Sequence, residues 1–149
     1  MKKFLALAVL MTVGLLAACQ PMEKTTSSSQ QEIVKTADID WEQAGPDAKA
    51  NQISFEMVKA DVEAGAKFYD VRSEEEYETE NFGITENLPI TDLQAGKLPD
   101  VPKDTKIYIH CLKGIRSAQA TKILRDAGFT QVFDMGGVEH VQAIGGVLE

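Results

Sequence analysis

With two cysteines and two histidines in 149 residues, this chain lacks the material for a disulfide framework or a zinc-type cluster. Cys19 and Cys111 have only each other to pair with, and His110 and His140 share no ligand spacing. No metal and no cofactor are expected. Positive charge is scarce as well: 15 Lys and Arg stand against 23 Asp and Glu, a formal net charge of −8. That balance argues against nucleic acid as a partner and against electrostatic docking on an anionic membrane. Beyond the first nineteen residues no long apolar run occurs. What is present, 44% apolar and 26% charged residues, suits one globular domain able to bury a core without covalent staples. A monomer is expected.

The first nineteen residues read differently from the rest. Lys2 and Lys3 precede an apolar stretch from Phe4 to Ala18, interrupted only by Thr12 and Gly14. The stretch is short for a bilayer span and suits the core of a signal peptide. It ends in Leu16-Ala17-Ala18-Cys19, which resembles the lipobox of bacterial lipoproteins. The resemblance implies cleavage after residue 18, lipidation of Cys19 and attachment to the cell envelope. With Gln20 following, that means the periplasmic face of the outer membrane in a Gram-negative cell. In a Gram-positive cell it means the outer face of the plasma membrane. Residues 19–51 read as a lipidated start and a mostly disordered tether. Thr25 to Gln31 is polar and of low complexity, and Gly45-Pro46-Asp47 is a turn signal. A flexible tether of that length reaches about 30 Å. Ile39 and Trp41 stand between two readings, a packed N-terminal extension or an unpacked linker.

Residues 52–149 form the expected domain. Ser54 caps a predicted helix to about Ala64, and Lys67 to Val71 is a short strand. Ser73-Glu74-Glu75-Glu76 is a capping box. Glu86 to Ile90 suggests a strand and Thr91 a helix cap. Lys106 to His110 is a β-branched and aromatic strand. Ser117 to Ala127 is a predicted helix stopped by Gly128. Gln131 to Asp134 is a strand, and Gly136-Gly137 opens a last helix at Val138. Strands alternating with helices predict an α/β domain whose mainly parallel central sheet is flanked by helices.

In such sheets chemistry gathers where a strand ends and a helix begins. Cys111 sits at that point, followed by Leu112-Lys113-Gly114-Ile115-Arg116. A loop this tight turns its amides inward and forms an anion-binding nest at a helix N-terminus. A thiolate there gains from those dipoles and from Lys113 and Arg116. Gly114 admits backbone angles closed to other residues. The bland alternative is a small core cysteine. Its place at a strand-to-helix turn, with Gly and Arg close behind, speaks for chemistry.

Cys111-Leu112-Lys113-Gly114-Ile115-Arg116-Ser117 resembles the rhodanese active-site loop, Cys-x-x-Gly-x-Arg-Ser. Asp70-Val71-Arg72 with Glu75-Glu76-Tyr77 resembles the family's Asp-Val-Arg segment. Gly136-Gly137-Val138 matches its late Gly-Gly signature. The resemblance covers about residues 52 to 145 and is nearest to single-domain, exported members of the phage shock protein E type. It implies a thiosulfate sulfurtransferase-like enzyme with a persulfide on Cys111. The amides of Leu112 and Ile115 would belong to the loop cradle. Lys113, Gly114, Arg116 and Ser117 would bind a small anionic sulfur donor, and a thiol or cyanide would accept the sulfur. Asp70, Arg72 and Glu76 would form a buried or half-buried charge network that supports the loop and would not be catalysts. One departure is plain: Asn81 and Gly83 stand where the family often has His and Pro.

Other residues carry less. His110 adjoins Cys111, but neighbouring strand residues face opposite ways, which argues against a general base. His140 reads as solvated or capping. The acidic run from Glu74 to Glu80 is a solvated helix face before it is a metal site. Phosphatases of related fold have five residues between Cys and Arg; here there are four, a ring too small for phosphate. A persulfide carrier, thiol-redox partner or binding module with little turnover is the remaining alternative.

Overall fold

The computed structural model describes residues 38–149. The expectations for the leader, for Cys19 and for the tether up to residue 37 lie outside the described residues. Six helices and four strands follow in order: α1 (Pro46–Asn51), α2 (Phe55–Glu63), β1 (Lys67–Asp70), α3 (Glu74–Thr79), β2 (Glu86–Asn87), α4 (Ile90–Gln94), β3 (Lys106–His110), α5 (Ile115–Asp126), β4 (Gln131–Gly136) and α6 (Val138–Ala143). The strands form one parallel sheet in the order β2-β1-β3-β4, the α/β architecture that the alternating pattern predicts. None of the described helices is long and apolar enough to cross a membrane.

Strand alternation divides the core into two layers. Ile107, Ile109 and Cys111 point to the face that Leu124 of α5 and Leu93 of α4 cover. Tyr108 points to the other face, with Phe68, Met135 and Val58 of α2. Ile107, Ile109, Val71 and Leu124 have no exposed surface. Fully burying a side chain of this kind contributes about 1.5–3 kcal/mol. Three local signals form as expected. Ser54 Oγ accepts from the Met57 amide, Ser73 and Glu76 close their capping box, and α5 ends before Gly128 at φ 93°.

Three boundaries differ from the sequence expectation. The folded body does not begin at residue 52. α1 starts on Pro46 and buries Ala48 completely, and Ile39 and Trp41 pack on the same cluster. Asp47 Oδ2 accepts from the Asp134 amide (2.7 Å) and from Arg125 Nη2 (2.8 Å). A six-residue helix is too short to be stable alone or to show periodicity, so its existence is tertiary. A side chain on Gly45 would collide with the Met135 carbonyl at 2.1 Å, which explains the glycine better than turn propensity does. Second, the strand expected over Glu86 to Ile90 pairs only at Glu86–Asn87, and α4 starts after Pro89 instead of at Thr91. Third, α5 opens at Ile115, two residues before Ser117.

Candidate active site

Cys111 leaves β3 at its C-terminal end, and the chain curls through Leu112, Lys113 and Gly114 into α5. The turn between β4 and α6 holds that curl from outside. The Cys111 amide donates to the Gly136 carbonyl (3.0 Å), the Val138 amide donates to Leu112 O (3.2 Å), and Lys113 bridges to Gly137. A Cβ on Gly137 would lie 2.5 Å from Leu112 O, so the close approach requires the second glycine of the pair. Gly114 sits at φ 93°, in the left-handed region where a side chain is strained. Its carbonyl accepts from Ser117 Oγ (2.9 Å) and from the Ala118 amide (3.2 Å). His140 Nδ1 accepts from the Gly137 amide at 2.9 Å, which is the capping alternative proposed for it.

The interior of the curl is the feature with chemical content. The Gly114 amide donates to Cys111 Sγ at 3.1 Å. Among the described residues no backbone carbonyl accepts from Ile115, Arg116 or Ser117, the first three amides of α5. A twelve-residue helix thus presents its positive end beside the sulfur. Cys111 itself is 1% exposed, whereas Leu112 and Ile115 on the rim are 40% and 70% exposed.

Asp70, Arg72 and Glu76, expected as support for the loop, sit in two separate ion pairs. Asp70 and Arg72 form a buried pair: Nε and Nη2 donate to Oδ2 at 2.8 and 2.7 Å, and the Arg72 amide donates to Oδ1. Arg72 Nη2 also reaches the Glu80 carbonyl, and Asn87 Nδ2 donates to the carbonyls of Asp70 and Arg72. This cluster fixes the ends of β1 and β2 next to the loop. Glu76 belongs elsewhere. Its carboxylate takes Arg116 Nη1 at 2.6 Å and Nη2 at 2.8 Å. Arg116 was expected to face a donor and instead is held by α3. That hydrogen-bonded guanidinium drives the Glu76 pKa down to about 2. Ser117 also departs from the expectation of substrate contact: it is fully buried and closes the loop through Gly114. Lys113 remains exposed, with no ion pair among the described residues.

His110 turns away from Cys111, as strand geometry requires, between the rings of Phe68 and Phe82 at 5.2 and 5.1 Å. Its Nδ1 lies 3.3 Å from the Cys111 carbonyl and its Nε2 lies 3.5 Å from Asp70 Oδ2. Burial pushes its pKa down to about 4 despite the nearby carboxylate, so the ring is neutral at physiological pH. The Asn81 and Gly83 departure has a local account. Asn81 Oδ1 accepts from the Gly83 amide at 2.8 Å, and Gly83 lies at φ 70°. An Asx turn makes this bend.

Residues 54–143 match the family model described as the rhodanese-like domain, and the chain belongs to that family. It is 36% identical over 104 residues to the Adenylyltransferase and sulfurtransferase UBA4 of Saccharomyces cerevisiae. That alignment covers 62% of this chain but only 24% of the yeast protein. It is 31% identical over 79 residues to the Thiosulfate sulfurtransferase PspE of Escherichia coli, covering 52% of this chain and 76% of PspE. Among solved structures, the Alr3790 protein from Anabaena superposes with a TM-score of 0.54 at 30% identity, over 63% of this chain and 88% of that one. The chain therefore spans about a quarter of the length of UBA4, and over most of PspE the two run side by side.

The pairing of Glu76 with Arg116 had no signal in the sequence, because the partners are 40 residues apart. Asp47 was missed for the same reason, lying 87 residues from the amide it accepts. Asn87 lies inside a predicted strand, where nothing in the local sequence signals that its side chain bridges two carbonyls.

Proposed function

We propose that this chain is a sulfurtransferase that carries sulfane sulfur as a persulfide on Cys111. The observation that carries the reading is the Gly114 amide on Sγ at 3.1 Å, at the open N-terminus of α5. Amides aimed at a sulfur stabilise the thiolate that attacks and the persulfide anion that results. In the first half-reaction the Cys111 thiolate attacks the outer sulfur of a donor such as thiosulfate. The donor S–S bond breaks, sulfite leaves with the bonding pair, and Cys111 keeps the transferred sulfur. In the second, a thiol or cyanide attacks that sulfur and the thiolate returns. Four residues between Cys111 and Arg116 make a cradle sized for sulfur. Family membership and the sulfurtransferase names of UBA4 and PspE support the reading. The test is intact mass of residues 38–149 after thiosulfate: a gain of about 32 Da, reversed by cyanide and absent from Cys111→Ser. A domain that never gains mass would be a binding module.

The lipobox-like segment supports a second part of the proposal: the chain is exported and anchored to the cell envelope through a lipid on Cys19. Metabolic labelling with a fatty acid should mark the full chain and fail on Cys19→Ser. An unmodified Cys19 in mature, membrane-free protein would overturn this part.

A further inference from the structure

The arginine of the loop already carries a countercharge before any donor arrives. Both terminal nitrogens of Arg116 are bound by Glu76 at 2.6 and 2.8 Å. Glu76 in turn is held by the Ser73 amide and hydroxyl, so the carboxylate cannot swing aside without breaking the α3 cap. It stays ionised across the physiological range, its pKa held near 2 by the guanidinium. α3 carries Glu74, Glu75 and Glu78 besides Glu76, and no cation. Lys113 is then the one loop cation without an ion pair among the described residues. Beside it in the same loop, Leu112 and Ile115 are exposed apolar side chains.

Thiosulfate is a poor match for that surface. A thiolate attacking a dianion faces like-charge repulsion, about fourfold stronger near a protein surface than in bulk water. Cations at the mouth must offset this, and one of two has been neutralised. A hydropersulfide, R–S–SH, carries one charge at most and brings an apolar group for the rim. Its reaction with Cys111 balances without further reagents. The thiolate attacks the outer sulfur, a Cys111 S–S bond forms, the donor S–S bond breaks, and the proton passes to the departing RS⁻ to give RSH.

We propose that Glu76 is a specificity-determining positioning residue: by holding Arg116 it biases Cys111 toward organic sulfane donors of low charge and away from dianions. The inference rests on the sulfur-transfer reading above. The decisive variant is Glu76→Gln, because glutamine at the third helical position keeps the capping box while the countercharge is lost. Loading of Cys111 is followed by intact mass, as a rate against donor concentration, with thiosulfate and with the hydropersulfide of 2-mercaptoethanol. The native protein should load faster from the hydropersulfide. Glu76→Gln should lower the KM for thiosulfate about tenfold, the effect of one unscreened charge near an anion. It should also make thiosulfate loading fall more steeply with salt. Hydropersulfide loading should change less than about twofold, and Glu76→Asp should restore the native ratio. An unchanged thiosulfate-to-hydropersulfide ratio in Glu76→Gln overturns the inference while leaving sulfur transfer intact. No gain of mass from either donor, in either protein, overturns the sulfur-transfer reading and this inference together.

Discussion

Two arginine–carboxylate pairs flank the Cys111 loop, and they teach different things. Asp70–Arg72 is 0% and 2% exposed, two residues apart in sequence, with further bonds to Glu80 and Asn87. Glu76–Arg116 is 31% and 30% exposed and joins residues 40 positions apart. Both are two-nitrogen contacts between the same chemical groups. The first is a structural commitment: with both charges out of water, neither partner tolerates loss of the other. The second is adjustable, since water replaces a missing partner at modest cost. Its value lies in where it aims the guanidinium.

The largest expected effect comes from breaking the buried pair. Arg72→Met leaves Asp70 charged and alone and should cost about 3–5 kcal/mol in urea unfolding. Sulfur loading at Cys111 should fail in step with folding. Adding Asp70→Leu should recover part of that stability, because a missing pair is cheaper than half a pair. A double variant as weak as the single one would mean that the hydrogen bond from Arg72 to the Glu80 carbonyl, and not charge, dominates the cluster.

His110 extends the buried system and gives it a pH dependence. Its pKa in the folded protein is about 4 against an ordinary 6.5, so the unfolded chain binds the extra proton between those values. The His110 contribution should be full above pH 6.5, fall on acidification through the window from 6.5 to 4, and change no further below it. The loss should be on the order of 3 kcal/mol, and His110→Phe should flatten this limb. A ring that titrates near 6.5 by NMR would contradict the burial argument.

The exposed pair should move stability far less. Glu76→Gln should cost under about 1 kcal/mol at neutral pH. The sign follows from a folded pKa of about 2, below the ordinary 4.5. The advantage of the native protein over the variant is complete above pH 4.5 and disappears as pH falls toward 2. A cost of several kcal/mol would erase the contrast between the two pairs. The smallest effect belongs to Lys113→Ala, which should leave unfolding within about 0.5 kcal/mol yet slow loading by thiosulfate. A matching slowdown with the hydropersulfide would show that Lys113 shapes the loop instead of meeting donor charge.

Much of this was legible in sequence where the cause is local. The Ser73 capping box and the Ser54 cap depend on residues three apart, and both form. The turn carrying Cys111 was visible because a strand-rich run ends on it and Gly114 follows. Strand alternation alone put His110 and Cys111 on opposite faces, and the aromatic rings around His110 agree. Where partners are distant the signal fails. α1 is a single short helix whose Ala48 is buried only because β4 lies beside it. Read alone, Gly45-Pro46-Asp47 is a turn in a tether. Ser117 reads as a polar residue at a substrate loop, and only the folded curl turns its hydroxyl onto Gly114 O.

The sequence by itself determined the order of strands and helices from α2 onward, the Ser54 and Ser73 caps, the acidic surface and the position of a thiol at the mouth of a helix. These follow from side-chain period, backbone freedom and charge, which are properties of neighbours along the chain. The tertiary structure decided what each charged group meets. Asp70 finds Arg72 within its own turn, but Arg116 finds Glu76 only because the order β2-β1-β3-β4 sets β3 beside β1. The elements that follow those two strands, α5 and α3, each carry one partner of the pair. An ion pair between groups 40 residues apart has no local energy to announce it, so the charge left free at the loop emerges only after the sheet is assembled.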